Sequence, residues 1–125
     1  MVEKINTQKA PVAIGPYSQA VVVNGVLYTS GQIPLDPATG AVVEGGIKEQ
    51  TLQVMKNIQA ILEEASTTFE NVFKTTCYLS DMANFAEFNE VYAQYFTSKP
   101  ARSCVAVKEL PKGVLVEVEA IALIK

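Results

Sequence analysis

The segment Gln19-Ala-Val-Val-Val-Asn-Gly-Val-Leu-Tyr-Thr-Ser30 decides what kind of fold this chain can adopt. Two β-branched runs flank Asn24-Gly25. That pair tolerates φ > 0 at both central positions, as the two-residue type I′ turn of a β-hairpin requires. Gly31-Gln-Ile-Pro34 then ends the second strand, and Asp36-Pro-Ala-Thr-Gly40 carries the Pro and Gly of a turn. From about Gly46 the period changes. Leu52, Met55, Ile58, Ile61/Leu62 and Ala65 recur every three to four residues, the stripe of an amphipathic helix packed on a sheet. Glu49 complements the helix dipole in its first turn.

The remaining elements follow in the same way. Val72–Leu79 is rich in β-branched and aromatic residues and reads as a strand. Ser80 or Asp81 can cap a second helix whose inward face is Phe85, Phe88, Tyr92 and Tyr95/Phe96, and which ends before Pro100. Ser103–Val107 reads as a short strand, Leu110-Pro-Lys-Gly113 as a turn, and Val114–Ile124 as a long final strand. The order is β-β-α-β-α-β-β, with room for a short first strand over Val2–Asn6. Strands joined through helices are expected as parallel neighbours and hairpin partners as antiparallel ones. An α+β domain follows, spanning residues 1–125, with a mixed sheet and both helices on one face. Val22, Leu27 and the Val114–Ile124 residues are left to cover the other face, and a bare apolar sheet face is normally hidden in an oligomer.

Composition narrows the chemistry. The 125 residues are 49% hydrophobic and 18% charged, too apolar for a disordered chain. Ten Lys and Arg against thirteen Asp and Glu leave a net charge of −3, with the basic residues scattered singly. Tight binding to nucleic acid, which rests on neutralising phosphates, is disfavoured. With no His and only Cys77 and Cys104 as thiols, far apart in sequence, a zinc site or a Ser–His–Asp triad is excluded. The N-terminus lacks the apolar core of a signal peptide, and no apolar run is long enough for a membrane helix. Cys77 and Cys104 therefore read as free thiols in a reducing, cytoplasmic compartment.

Four places can carry chemistry. In the last strand a period of two puts Leu115, Glu117, Glu119, Ile121 and Leu123 on one face. Either the carboxylates mark a solvated strand end, or one of them sits beside apolar surface and needs a partner or a role. Arg102 is the only Arg in the chain and lies at the mouth of a strand. Its planar fork suits a carboxylate, although a lone Arg also serves as a surface ion-pair former. Tyr17 in Gly15-Pro-Tyr-Ser-Gln19 and Gly31 beside Ser30 are either plain loop and strand ends or a place where ligand meets backbone. Asn89, inside the second helix, can bond a loop. Cys104 has no His to activate it and reads as a small buried residue.

These segments, taken in order, resemble the YjgF/RidA family of small reactive-imine deaminases over essentially the whole chain. The resemblance runs through Ala13-Ile-Gly-Pro-Tyr-Ser-Gln19, Tyr28-Thr-Ser-Gly-Gln-Ile-Pro34, and Gln50-Thr51 with Asn57. It continues in Val72-Phe-Lys-Thr-Thr76, Phe85-Ala-Glu-Phe-Asn89, Pro100-Ala-Arg-Ser-Cys104, and Leu110-Pro-Lys with Glu117. The stretch Phe96–Pro100 is shorter than in many members, and Val118 stands where Ile or Met is more usual. The resemblance implies a chorismate-mutase-like trimer with clefts between subunits. It also implies hydrolysis of 2-iminobutanoate and 2-iminopropanoate to 2-keto acids and ammonia, without metal or cofactor. By the same resemblance Arg102 clamps the substrate carboxylate and Glu117 positions water. The backbone near Gly31 and Cys104 holds the imine, and Tyr17, Ser30 and Asn89 line the pocket. Two other functions stand beside this one: a regulator that binds small keto or amino acids and docks a partner protein, and a ribonuclease or translation inhibitor.

Overall fold

The computed structural model describes residues 1–125. Its strands are β1 (Glu3–Ile5), β2 (Ala20–Val23), β3 (Val26–Thr29), β4 (Val72–Leu79), β5 (Ala101–Ala106) and β6 (Val116–Leu123). Its helices are α1 (Ile47–Glu64) and α2 (Phe85–Tyr95). Asn24 and Gly25 have φ of 50° and 76°, so the β2–β3 hairpin turns as its two-residue signal predicts. Asp36 closes the next turn, accepting backbone N–H bonds from Thr39 and Gly40 through its carbonyl and from Ala38 through its side chain. At the start of α1 the Glu49 carboxylate accepts the Gly46 N–H at 2.8 Å, supplying the cap that a glycine side chain cannot.

The six strands form one mixed sheet in the order β1-β2-β3-β6-β4-β5. The β4–α2–β5 unit makes parallel neighbours, as expected of strands joined through a helix. The β3–α1–β4 connection does not, because β6 enters between the two strands and pairs antiparallel with both. The last two strands likewise do not pair with each other. The Val/Ala side of β6 is the best apolar surface in the sheet, and the centre is where both helices can cover it. Val116, Val118, Ala120 and Ala122 accordingly form the buried stripe, joined by Leu27, Cys77 and Leu79 from the flanking strands.

Three side chains lie differently from their sequence reading. Leu27 and Val22 pair across the hairpin and turn toward the helices, not onto the open face. The run Val21-Val22-Val23 is apolar on both faces, so alternation alone could not say which side goes in. Leu52 is 37% exposed on the outer side of α1, whose inward stripe is Ile47, Thr51, Val54/Met55, Ile58 and Ile61/Leu62. Three buried amides lock the loops to this frame. Gln19 bonds the backbone of Thr7, Ala10 and Pro11; Gln50 accepts from the Leu115 N–H; Asn57 donates to the carbonyls of Ile33 and Leu35. No helix is long and apolar enough to cross a membrane.

Candidate functional site

Arg102 lies on edge strand β5, opposite Thr75 in register, with its side chain on the helix-covered face. The fold builds a seat for it there. Its Nη1 donates to Asn89 Oδ1 at 2.7 Å, and its guanidinium carbon stands 4.8 Å from the Tyr92 ring centre and 5.4 Å from that of Phe85. All three partners come from α2, on successive turns of the helix. Tyr92 is fixed in turn by a 2.7 Å hydrogen bond between its hydroxyl and that of buried Thr75. The structure's one salt bridge joins Lys48 to Glu90, so no carboxylate of the chain takes the Arg102 fork. Beside it opens a groove of about 530 Å³, lined also by Tyr92, Phe96, Thr97, Lys99 and Pro100. A guanidinium spends five donors, and here most remain for a ligand.

Cys104 follows two residues on, beside Arg102 on the same face and opposite Cys77. Burial pushes the Cys104 thiol up, against the opposing pull of Arg102, and pushes that of Cys77 to about 12. Neither is poised as a thiolate. The sequence reading makes Cys104 a small buried residue; it is only half-buried here, and Cys77 is the buried one of the two.

Glu117 sits on the other face of the sheet. In β6 it stands opposite Tyr78, and Glu119 opposite Thr76. Between the pairs Tyr28–Ile121 and Gln32–Val118, three residues, Thr29 to Gly31, face two, Ala120 and Glu119. This bulge brings Gly31 against the Glu117 carboxylate; a Cβ built there would lie 2.8 Å from Cδ and still closer to Oε2. Only a glycine leaves the carboxylate room. Burial first, then the charge of Glu119, raises the Glu117 carboxyl above the ordinary carboxylate value. A second cavity, about 320 Å³, is lined by Tyr17, Gly31, Gln32 and Lys112. The Ser30 hydroxyl donates to the Ser18 carbonyl at 2.6 Å and its N–H to that of Gln19, so Ser30 fastens the loop that carries Tyr17.

The residues singled out from sequence thus fall into two groups. Arg102, Asn89 and Cys104 share the helix side of β5, while Tyr17, Ser30, Gly31 and Glu117 gather at the β3–β6 bulge and its adjoining loop. Within one chain Arg102 and Glu117 face opposite ways. Sequence reasoning places Phe85 and Tyr92 only on the inner face of α2 and gives Thr75 and Lys99 no part. An aromatic three residues after Asn89 is the available signal for the platform under Arg102.

With β6 threaded between β3 and β4 and both helices on one face, the chain is an α+β protein of the chorismate-mutase-like fold. Residues 7–124 match the family described as Endoribonuclease L-PSP, and the chain belongs to the YjgF/RidA family. The human 2-iminobutanoate/2-iminopropanoate deaminase is 51% identical over 120 residues, 95% of this chain and 88% of the human one. YyfA of Yersinia pestis, from the conserved Rid protein family, superposes with a TM-score of 0.96 at 51% identity, covering 99% of this chain and all of its own. Escherichia coli TdcF, solved with bound serine, gives 0.93 at 41% identity and covers 98% and 99%.

Proposed function

We propose that this protein hydrolyses short 2-imino acids, such as 2-iminobutanoate and 2-iminopropanoate, to 2-keto acids and ammonia. The observation that carries the reading is Arg102: a guanidinium held by Asn89 and two rings, without a carboxylate partner, at the wall of an open groove. Such a fork fits the carboxylate common to all 2-imino acids. The likeness to the human deaminase supports the same chemistry.

The reaction asks little of the protein. A protonated imine is already electrophilic, and one positioned water completes the reactants. Glu117 takes a proton as water oxygen adds to the imine carbon, and returns it to the nitrogen as the C–N bond breaks. Its raised pKa suits it to both halves of that exchange. Gly31 leaves space for the carboxylate to reach the substrate, and Tyr17 and the backbone near Cys104 close the cleft. Because Arg102 and Glu117 face opposite ways within a chain, the complete site takes its two halves from neighbouring copies, in the proposed homotrimer. Apolar Tyr28, Val105 and Leu123, each over 40% exposed on the open side, would be covered there.

The test couples the protein to a threonine dehydratase and follows 2-ketobutyrate with semicarbazide present to trap free imine. Wild type should outrun the trap, and Arg102→Ala and Glu117→Ala should not. Failure of the wild type would leave the second reading, a binding module for small keto or amino acids, which the serine bound to TdcF favours. The ribonuclease reading finds neither a His nor a basic cluster to serve it.

A further inference from the structure

The rim of the Arg102 groove contains an anomaly. Lys99 adopts φ of 55°, the left-handed region that glycine or asparagine occupies at lower cost. The segment around it is firmly built. Thr97 donates its hydroxyl to Glu70, Ser98 bonds the carbonyls of Phe69 and Val72, and the Lys99 N–H reaches the Phe96 carbonyl at 3.2 Å. Lys99 itself pairs with no carboxylate and lines the same groove as Arg102. A rim fixed on both sides thus holds this lysine at the groove without a carboxylate partner.

Two cations three residues apart are separated by at most about 10 Å of backbone. On the single chain the groove measures about 530 Å³, more than a four-carbon imine fills. We propose that this groove accepts 2-imino and 2-keto acids with a second, distal carboxylate: Arg102 takes the α-carboxylate and Lys99 the side-chain one. The inference rests on the deaminase reading for the imine half of its claim and on binding alone for the keto acid half.

Both halves can be measured on the intact 125-residue chain. Calorimetry would compare 2-oxoglutarate with 2-oxobutanoate on wild type, Lys99→Ala and, as a distant exposed control, Lys56→Ala. Turnover would compare imines generated by amino acid oxidases from glutamate, methionine (similar length, uncharged) and 2-aminobutanoate. Lys99→Ala should weaken 2-oxoglutarate binding and lower kcat/KM for the glutamate-derived imine by about fivefold, the upper range for an exposed ion pair. The uncharged ligands should lose less than 2-oxoglutarate and the glutamate-derived imine do, and Lys56→Ala should change nothing. Lys99→Glu should deepen the loss. Equal effects of Lys99→Ala on all ligands, or no binding of 2-oxoglutarate by wild type, would overturn the inference. If 2-oxoglutarate binds through Lys99 but no imine turns over, the acidic-ligand site stands and the deaminase reading falls instead.

Discussion

Arg102 owes its fixed orientation to neighbours that bear no charge. Asn89 takes one donor, the Tyr92 and Phe85 rings flank the guanidinium, and the rest of the fork faces the groove. Lysine cannot copy that geometry, so Arg102→Lys should recover little of the activity that Arg102→Ala loses. Removing the charge-assisted fork should cost about 2–4 kcal/mol, roughly thirty- to a thousandfold in kcat/KM, with the melting temperature little changed. In the proposed reaction Glu117 supplies the pH dependence. Its carboxyl is raised by burial and by Glu119, so activity should fall on the acid side at a higher pH than an ordinary glutamate would dictate. Glu119→Gln removes one raising cause and should move that limb to lower pH in a pH–rate profile. Stability responds to the same proton in the opposite sense. The folded chain holds it more tightly than the unfolded one, so Glu117 weakens the fold at neutral pH and this cost is relieved as pH falls through the raised value.

At the scale of elements, the bulge between β3 and β6 is the feature that aims the carboxylate. Gly31→Ala sets a methyl against the far end of the Glu117 side chain, which can swing aside. The fold should therefore tolerate the change while activity falls toward that of Glu117→Ala; matched thermal melts and kinetics would separate the two. The loop before α1 depends on a different device. Asn57, wholly buried, holds the carbonyls of Ile33 and Leu35 and accepts from Gln53. Asn57→Ala strands those carbonyls and should cost about 1–3 kcal/mol, read as a lower denaturation midpoint with the slope unchanged.

For the whole molecule the opposition of Arg102 and Glu117 across the sheet is the governing fact. If neighbouring copies complete each site, two inactive variants can repair one another. Arg102→Ala and Glu117→Ala chains, unfolded together and refolded as an equal mixture, should regain about a quarter of wild-type activity, the chance that an interface draws both intact halves. Separate refolding should regain none. Complete inactivity of the mixture would place both residues' work within single chains.

Much of this molecule is legible in its residues alone. Asn24-Gly25 dictates the hairpin because few other pairs accept two positive φ angles, and Val72–Leu79 matches its strand end for end. Arg102, as the lone guanidinium, and the Glu117/Glu119 pair among apolar neighbours are visible as candidates, whereas the choice of Glu117 and the part given to Gly31 come from the family resemblance. The hairpin, the strand and these candidates are local signals, set by the chain's own stereochemistry and by what each side chain needs from its surroundings. The place of β6 between β3 and β4, the inward turn of Leu27, the outward one of Leu52 and the seat of Arg102 on Tyr92 are not local. Each depends on which distant surface supplies the burial or the partner. Alternation in a strand that is apolar on both faces leaves that choice open, and only the packed sheet and helices decide it.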